Sequence, residues 1–474
     1  MHEVPVVPRP DARFAELVGT AETERYEQRL ARARQALGGG TLWHVNSTAE
    51  GGGVAELLRS CLGYLRDGGV ETRRLVFDGD DRFFAITKRI HNRLHRDYGD
   101  HGELGAAERA HYDRVTAGNL DVARSMVRPG DVVVVHDPQP LGLVPGLVDL
   151  GATVIWTCHV GVDVANDVTR SAWDFLRPDA ERATVTTFTR WAYVWEGLDR
   201  DRVEIIPPCI DGFALKNAPI DAAQREAILA AAGVLSPTPT TDPTAEPAAT
   251  FVRSDGAPAT VQHRADMDED APVPPGAPLV TQVSRWDRLK DPLGVLGGFV
   301  QDPDLAGAHL ILAGPAPSSV ADDPEAEQVL GDVRKVRADL RPADRVRVHL
   351  ANLPTVDVEE NAVVVNALQR RSDVVVQKSI AEGFGLTVTE AMWKRRPIVA
   401  SRVGGIQDQI ADGESGFLVD PRDLVAFGSA VQFLLEDRER ATGFGAAAHE
   451  RVRQRYLAPP YLGAYLDLIA RLRG

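Results

Sequence analysis

Cysteine, methionine and aromatic side chains are scarce in this chain of 474 residues. There are four methionines, 6% aromatic residues and three cysteines, Cys61, Cys158 and Cys209. The cysteines are unevenly spaced and set in apolar runs, so neither a disulfide framework nor a zinc or redox motif is predicted. We expect three buried thiols in a reducing compartment.

Long apolar runs are also missing. No stretch of about 18 consecutive apolar residues occurs, which argues against a membrane span. The first residues, MHEVPVVPRPDARF, lack the basic start and apolar run of a signal peptide. We therefore expect a cytoplasmic protein with no membrane partner.

The charge balance is acidic, with a formal net charge of −15. An acidic surface repels phosphate backbones, so nucleic acid is not an expected partner. A bound phosphate group would have to be held by a local cluster of cations.

The length suits two domains of roughly 200 residues each. From residue 41 onward, strand-like and helix-like segments alternate, and runs such as VVVV (132–135) are typical of strands buried on both faces of a parallel sheet. A second alternating series starts near residue 278. The sequence predicts an α/β protein with two Rossmann-like, doubly wound parallel-sheet domains that face a cleft between them.

Twelve segments are predicted to be strands. They are 41–46, 71–79, 131–138, 152–160, 182–188 and 202–208 in the first domain, and 278–286, 308–314, 346–352, 373–379, 397–404 and 416–420 in the second.

Four regions follow from this pattern. Residues 1–215 form the first domain, with 1–40 as a lead-in, and residues 279–450 form the second. Residues 451–474 are expected to be a helix that packs back on the first domain. Between the domains, 216–278 holds a connecting helix and, from 236 to 278, a segment with nine prolines and few large apolar side chains. Such a composition predicts a disordered or loosely held insertion.

Ligands of open parallel sheets bind beyond the carboxyl ends of the strands. Gly51, Gly52 and Gly53 follow the strand 41–46 and open a helix. Glycines let backbone N–H groups approach a diphosphate, and a helix N-terminus favours an anion. A tight turn without a ligand is the alternative.

A basic turn, SRWDRLKDP (284–292), follows the first strand of the second domain and contains Arg285 and Lys290. A fixed Arg and Lys would stabilise the charge of a departing diphosphate in the transition state. The alternatives are a solvated basic turn, or simple ion pairs with Asp287 and Asp291.

A third motif, EGFGLTVTE, runs from Glu382 to Glu390 after the strand 373–379. Two carboxylates flank a glycine-rich turn at a helix start. Carboxylates accept hydrogen bonds from vicinal sugar hydroxyls, and the N–H groups near Gly385 and Leu386 could face a phosphate.

Polar residues also end two strands of the first domain. His159, in TCHVGVD, could bind a substrate hydroxyl or be a structural histidine, while His136 and Asp137 lie in an equivalent position. Lys88 and Asn92, in TKRIHN, form a more ambiguous polar stretch. No spacing typical of a metal site is present.

The motifs together resemble a known family. SRWDRLKDP, KSIAEGFGLTVTEAMWKRRPIVASRVGGIQDQI and GESGFLVDP are similar to the donor-binding half of the retaining GT-B glycosyltransferases of family 4. HVNSTAEGGGVAELL, FDGDDRFFAITKRIHN and VVHDPQPLGL resemble the trehalose synthases of the glycosyltransferring type. That family joins glucose from ADP- or UDP-glucose to free glucose in a reversible reaction, so the resemblance implies a hexosyltransferase with a nucleotide sugar and a small sugar acceptor as its ligands.

The resemblance also implies roles for single residues. The catalytic group would be Arg285, Lys290, Glu382 and His159; the donor-binding group would be Gly52, Gly53, Gly383, Phe384, Gly385, Leu386 and Glu390; and the acceptor-binding group would be His136, Asp137, Lys88 and Asn92. No metal ligand and no obligatory cofactor are implied, Mg²⁺ being at most an activator. A homodimer is an open option for the assembly.

The implied mechanism retains configuration at the anomeric carbon. No carboxylate is clearly dedicated as a nucleophile, so same-face attack is favoured, in which the leaving phosphate oxygen takes the acceptor's proton. A trehalose phosphorylase, a nucleotide-sugar epimerase and a transferase with another small acceptor are alternative enzymes. A sugar- or nucleotide-binding regulator is the alternative that is not an enzyme.

Overall fold

Two seven-stranded sheets, one in each of two units, organise the chain. The computed structural model describes residues 1–49, 52–236, 249–317 and 324–474. The first unit comprises Met1–Asp211 and Arg453–Gly474, and the second comprises Gly212–Val452. The twelve predicted strands are all present, and the fold class is the predicted one.

The strands are β1 (His2–Val4), β2 (Leu42–Asn46), β3 (Thr72–Val76), β4 (Val132–His136), β5 (Thr153–Cys158), β6 (Val185–Phe188), β7 (Val203–Ile205), β8 (Thr250–Val252), β9 (Pro258–Thr260), β10 (Asp266–Asp268), β11 (Leu279–Val283), β12 (His309–Pro315), β13 (Val348–Leu353), β14 (Val374–Gln377), β15 (Ile398–Ser401) and β16 (Phe417–Val419).

The helices are α1 (Phe14–Val18), α2 (Thr20–Leu37), α3 (Gly52–Asp67), α4 (Asp81–Leu94), α5 (Ala106–Met126), α6 (Val144–Asp149), α7 (Asp167–Ala180), α8 (Ala222–Ala231), α9 (Pro292–Gln301), α10 (Pro324–Ala338), α11 (Pro342–Arg345), α12 (Val358–Arg371), α13 (Leu386–Trp393), α14 (Ile406–Gln409), α15 (Leu424–Glu436), α16 (Arg438–Arg455) and α17 (Ala458–Arg473).

The sheet of the first unit has the strand order β1-β3-β2-β4-β5-β6-β7. All neighbours are parallel except β1, which pairs antiparallel with β3. The chain runs outward from β2 to β3 and then returns to the other side of β2 with β4. The carboxyl ends of β2 and β4 therefore flank a topological switch point, where open α/β sheets bind ligands.

The second unit repeats this plan with the strand order β10-β13-β12-β11-β14-β15-β16. Only β10 is antiparallel, and it pairs with β13 at the edge. The chain leaves β11 through β12 and β13 and returns on the other side with β14. The switch point of this sheet lies between the carboxyl ends of β11 and β14.

Apolar strands explain why the sheets lie inside their units. All five residues of β4, VVVVH, are buried, as are all five of β11, LVTQV. Helices cover the sheets with one apolar face each; the buried side of α4, for example, presents Phe83, Ile86 and Ile90. The last helix, α17, belongs to the first unit and packs on α2.

The prediction of a disordered insertion is wrong for residues 249–278. Strands β8 and β9 form an antiparallel hairpin there, and β10 extends the sheet of the second unit. Phe251, Val261 and Val273 are buried in a core cluster of that unit. These few apolar side chains, with backbone pairing, suffice to order a proline-rich stretch. Residues 237–248 of the predicted insertion lie outside the described residues.

Candidate functional site

The switch point of the second unit brings together the two predicted donor motifs. The turn after β11 carries Lys290, the turn after β14 carries Glu382, and the Lys290 ammonium forms an ion pair with the Glu382 carboxylate. Both side chains are mostly buried, at 18% and 11% exposure. A cation and a carboxylate from motifs 92 residues apart therefore meet at one point of the sheet edge.

The basic turn forms ion pairs, which was one of the alternatives for this motif. Arg285 has the expected partner Asp287, whereas Lys290 does not pair with Asp291. Arg285 is half exposed, and its Nη2 donates to Oδ2 of Asp287 at 3.0 Å. Asp287 also accepts from the backbone N–H of Leu289, at 2.7 Å, which fixes the turn. Lys290 pairs with Glu382, whereas Asp291 pairs with Lys378.

Lys378 and Asp291 form a second ion pair between the same two turns. The Lys378 side chain is only 1% exposed. Asp291 has a left-handed backbone, with φ 50°, and its Oδ1 accepts from the N–H of Gly294 at 3.0 Å, which caps α9. We refer to Lys290, Glu382, Asp291 and Lys378 as the lysine cluster. Because Asp291 adjoins Lys290 in the chain, the buried pair holds the backbone from which Lys290 extends.

The turn Gly383-Phe384-Gly385 is held by the segment after β15, which comprises a loop and the short helix α14. Gln409 donates from Nε2 to the Phe384 carbonyl at 2.6 Å, and the N–H of Gly405 donates to the Gly383 carbonyl at 3.0 Å. Gly385 has φ 85° and starts α13, whose first residue is Leu386. The turn thus presents the beginning of a helix, with its partial positive charge, beside the lysine cluster.

Glu390 lies one turn further along α13. Its side chain is 5% exposed and forms an ion pair with Lys216, with an N–O distance of 3.5 Å. Lys394 donates to the Glu390 carbonyl at 3.3 Å and to Oε1 of Gln369 at 2.6 Å. The carboxylate of Glu390, which was predicted to bind the donor, therefore has a fixed position on the face of α13.

The first unit places three histidines in a row at its own switch point. His44 Nδ1 lies 3.0 Å from His136 Nε2, and His136 Nδ1 lies 3.2 Å from His159 Nε2. Their rings are nearly parallel, with interplanar angles of 19° and 6°, and meet edge to edge through these nitrogens. We refer to His44, His136 and His159 as the histidine row.

Asp137 fixes the outer end of the histidine row. Its backbone is left-handed, with φ 66°, a conformation that is costly outside glycine and recurs at functional sites. Oδ1 of Asp137 accepts from the N–H of His159 at 2.9 Å, and its own N–H donates to the Thr157 carbonyl at 2.8 Å. The turns after β4 and β5 are thereby tied together.

The remaining predicted residues of the first unit lie on helices. Gly52 and Gly53 are exposed at the start of α3, and Gly52 has φ 78°. Lys88 is exposed in the second turn of α4, and Asn92 is partly buried one turn later. Their roles stay predictions. Gly51 lies outside the described residues.

Among the residues that the structure describes, no group of three or more His, Cys, Asp or Glu side chains is placed to hold a metal ion. Within the same residues, no helix combines the length and the apolar character that crossing a membrane requires.

Two family models match the chain. "Trehalose synthase, N-terminal domain" matches residues 44–195, and "Glycosyl transferases group 1" matches residues 357–451. The trehalose synthase of Pyrococcus horikoshii is 34% identical over 97% of this chain and 96% of its own length. The chain belongs to the trehalose synthase family. The trehalose synthase of Rubrobacter xylanophilus is also 34% identical, over 92% of both chains.

Membership of the trehalose synthase family makes the protein a hexosyltransferase with trehalose-related activity. A trehalose phosphorylase of Pleurotus sajor-caju is a more distant relative, 24% identical over 80% of this chain and 51% of its own. An α,α-trehalose-phosphate synthase structure from Burkholderia xenovorans superposes with a TM-score of 0.67 at 13% identity, covering 91% of this chain and all of that one. The two units therefore have the GT-B glycosyltransferase fold.

Within this trehalose synthase family member, several polar residues of the two sites escape prediction from the sequence. His44 reads as an interior residue of a buried strand, and Lys378 as the end of another. Gln409 lies within a family-like segment but was given no role there, and Lys216 belongs to no recognisable motif. For His44, the local sequence shows a polar side chain within an apolar strand and nothing more. Its place in the histidine row depends on strands that are distant in sequence.

Burial keeps the histidine row neutral. Desolvation, with the Arg74 guanidinium as a second cause, lowers the pKa of His44 to about 3. Desolvation and then the neighbouring imidazoles hold the pKa of His136 well below its ordinary value. The pKa of His159 is also lowered by burial, against an opposing contribution of Asp137.

Stability is therefore expected to fall with acidification. Below pH 6.5, His44 is protonated in the unfolded chain, whereas in the folded protein it stays neutral until about pH 3. The free energy of unfolding is therefore unaffected by His44 above pH 6.5 and decreases as the pH falls below that value. At pH 5 this loss is about 2 kcal/mol. Urea unfolding at pH 7 and pH 5 should show a drop that is smaller by about this amount in His44→Phe. An equal drop in both proteins would contradict the assignment.

Proposed function

We propose that this enzyme transfers the glucosyl group of ADP- or UDP-glucose to free glucose, forming trehalose reversibly with retention of configuration. The observation that carries the proposal is the lysine cluster, in which a cation and a sugar-binding type of carboxylate meet at the switch point of the second sheet. The trehalose synthases of Pyrococcus and Rubrobacter match nearly the whole chain and support the product.

The donor is proposed to bind the second unit. Lys290 and Arg285 would neutralise the diphosphate, whose charge grows as the sugar–phosphate bond breaks, which stabilises the transition state more than the bound substrate. The start of α13 adds backbone N–H groups, and Glu390 would accept the ribose hydroxyls. An Anabaena protein of the same fold, 12% identical with a TM-score of 0.60, is described in complex with UDP and glucose.

Glu382 is proposed to change partners in the reaction. In the structure its carboxylate accepts a hydrogen bond from Lys290. When a diphosphate attracts Lys290, the carboxylate becomes able to accept sugar hydroxyls instead. The ion pair would thus keep both groups in place before the donor binds and would cost little to open, because each charge gains a new partner.

The first unit is proposed to supply the acceptor side. His159 and Asp137 would contact the sugars, with Lys88 and Asn92 as further acceptor contacts and Gly52 and Gly53 as phosphate contacts. A neutral His159 can donate a hydrogen bond without repelling the positive charge that develops at the anomeric carbon. The acceptor's proton would pass to the leaving phosphate oxygen on the same face. Mg²⁺ is proposed only as an activator.

Product analysis tests this proposal directly. The purified protein is incubated with glucose and either ADP-glucose or UDP-glucose, and the disaccharide is identified by NMR. We expect trehalose with both anomeric centres in the α configuration, together with release of the nucleoside diphosphate. In the reverse direction, trehalose and a nucleoside diphosphate should regenerate the nucleotide sugar.

A parallel incubation addresses the phosphorylase alternative, which the Pleurotus relative motivates. Trehalose and inorganic phosphate should yield no glucose 1-phosphate. Phosphate-dependent glucose 1-phosphate without nucleotide-dependent transfer would replace the proposal by a phosphorylase. A different disaccharide would retain the donor and change the acceptor.

A further inference from the structure

Four polar side chains form a diagonal line across one face of the first sheet. His44 of β2 is the register partner of Arg74 in β3 and of Val134 in β4. His136 lies two residues beyond Val134 and is the register partner of Thr157 in β5, and His159 lies two residues beyond Thr157. Since alternate residues of a strand point to the same face, Arg74 and the histidine row share that face and approach the carboxyl edge step by step.

The two hydrogen bonds of the row must run in the same direction. A neutral imidazole has one N–H donor and one bare acceptor nitrogen. In both bonds Nδ1 of one ring meets Nε2 of the next. The proton therefore sits either on Nδ1 of all three rings or on Nε2 of all three, and the state of His44 decides the state of His159.

Arg74 selects between these two directions. Arg74 is 4% exposed, and among the described residues its guanidinium donates to neutral oxygens alone: the side chain of Asn46, at 2.9 Å, and the carbonyls of Thr48, at 2.7 Å, and Ala49, at 3.2 Å. Nε2 of His44 is buried and has no hydrogen-bond partner among the residues that the structure describes. Beside a buried cation, a bare nitrogen with its lone pair is more stable than an N–H, so the proton of His44 belongs on Nδ1.

We propose that His44 is a positioning residue and that Arg74, His44 and His136 together hold His159 as a neutral imidazole with its proton on Nδ1. His159 then accepts from His136 through Nε2 and presents an N–H donor to a sugar oxygen. This inference rests on the proposed function for the contact between His159 and sugar, but the tautomer itself does not.

Activity of two His44 variants tests the positioning role. His44→Phe keeps a planar ring and removes both nitrogens, whereas His44→Asn places an amide near the position of Nδ1. We expect His44→Phe to lower kcat by about 10- to 100-fold, by analogy with groups that orient metal-binding histidines, with the KM for the nucleotide sugar within about 2-fold. His44→Asn should recover most of the loss, which a purely packing role would not allow.

His309→Phe is the matched control. His309 also meets a second imidazole, that of His349, with Nδ1 2.9 Å from Nε2, but it begins β12 and so lies at the end of its strand opposite to the ligand edge. Its kcat should be unchanged. Equal activities of His44→Phe and wild type, or a His44→Asn variant as impaired as His44→Phe, would overturn the positioning role.

The tautomer is measured by ¹⁵N–¹H NMR of histidine-labelled protein, with resonances assigned by single substitutions. Wild type should show His159 protonated on Nδ1 and neutral at pH 7, and His44→Phe should show a mixture of tautomers. A proton on Nε2 of wild-type His159 would overturn the inference. Because this readout needs no glycosyl transfer, it still decides the matter if the enzyme makes no disaccharide, in which case the proposed function alone fails.

Discussion

Replacing Lys290 by alanine is expected to lower kcat by about 100- to 1000-fold. This is the usual cost of removing one donor that stabilises transition-state charge. The KM for the nucleotide sugar should rise less, because Arg285 and the start of α13 still contact the diphosphate in the proposed complex. Steady-state kinetics with saturating glucose measure both quantities.

Arg288→Ala is the matched control for this variant. Arg288 belongs to the same turn as Lys290, but its side chain is 60% exposed and pairs with Glu325 at 3.4 Å. Its removal should leave kcat unchanged, since exposed pairs contribute little. Circular dichroism and urea unfolding would show that Lys290→Ala is folded. A folded Lys290→Ala enzyme with wild-type kcat would remove Lys290 from the catalytic group.

Replacing Lys378 by methionine is expected to destabilise the second unit by about 3–5 kcal/mol. Breaking one half of a buried ion pair costs this much because the remaining charge, here that of Asp291, stays in a poorly solvated position. Asp291 is 18% exposed and caps α9. Since it also adjoins Lys290, the same change should lower kcat. Urea unfolding and steady-state kinetics on one preparation test both effects.

A double variant separates the charge from the packing in this pair. Lys378→Met combined with Asp291→Asn removes both charges, and asparagine tolerates the left-handed backbone and keeps a cap oxygen. It should regain at least half of the lost stability. If the double variant were as unstable as the sum of the single variants, the pair would not be coupled and the explanation by an uncompensated charge would fail.

Much of this architecture follows from local sequence. The apolar runs of β4 and β14 and the glycine-rich turns between them predict two parallel sheets, and parallel sheets place functional residues at their carboxyl ends. The positions of Lys290 after β11 and of Glu382 after β14 could therefore be predicted from the motifs. The family resemblance, which the comparisons confirm, added the expected activity.

The ion-pair and hydrogen-bond partners of these residues could not be predicted in this way. Lys290 lies three residues from Asp287 and adjoins Asp291, yet it pairs with Glu382, which is 92 residues away. The choice depends on which strands flank the switch point and on the left-handed turn at Asp291, and neither is encoded in a short window. The same holds for His44, whose neighbours come from β3 and β4.

The prediction that the insertion is disordered is wrong for a related reason. Composition measures how much apolar surface a segment can bury, and 249–278 has little. Composition does not account for backbone pairing with an existing sheet. Strand β10 pairs in this way with β13 through three residues. Phe251 and Val273 then bury enough surface to order the rest.

The outer strands of both sheets are all short. β1, β7, β10 and β16 have three residues each, whereas every strand inside the sheets has four to seven. Each border thus offers few open hydrogen-bonding groups on which a neighbouring molecule could add a strand. Together with the mutual repulsion of molecules that carry a net charge of −15, this protects the enzyme from fibre-like association when it is concentrated.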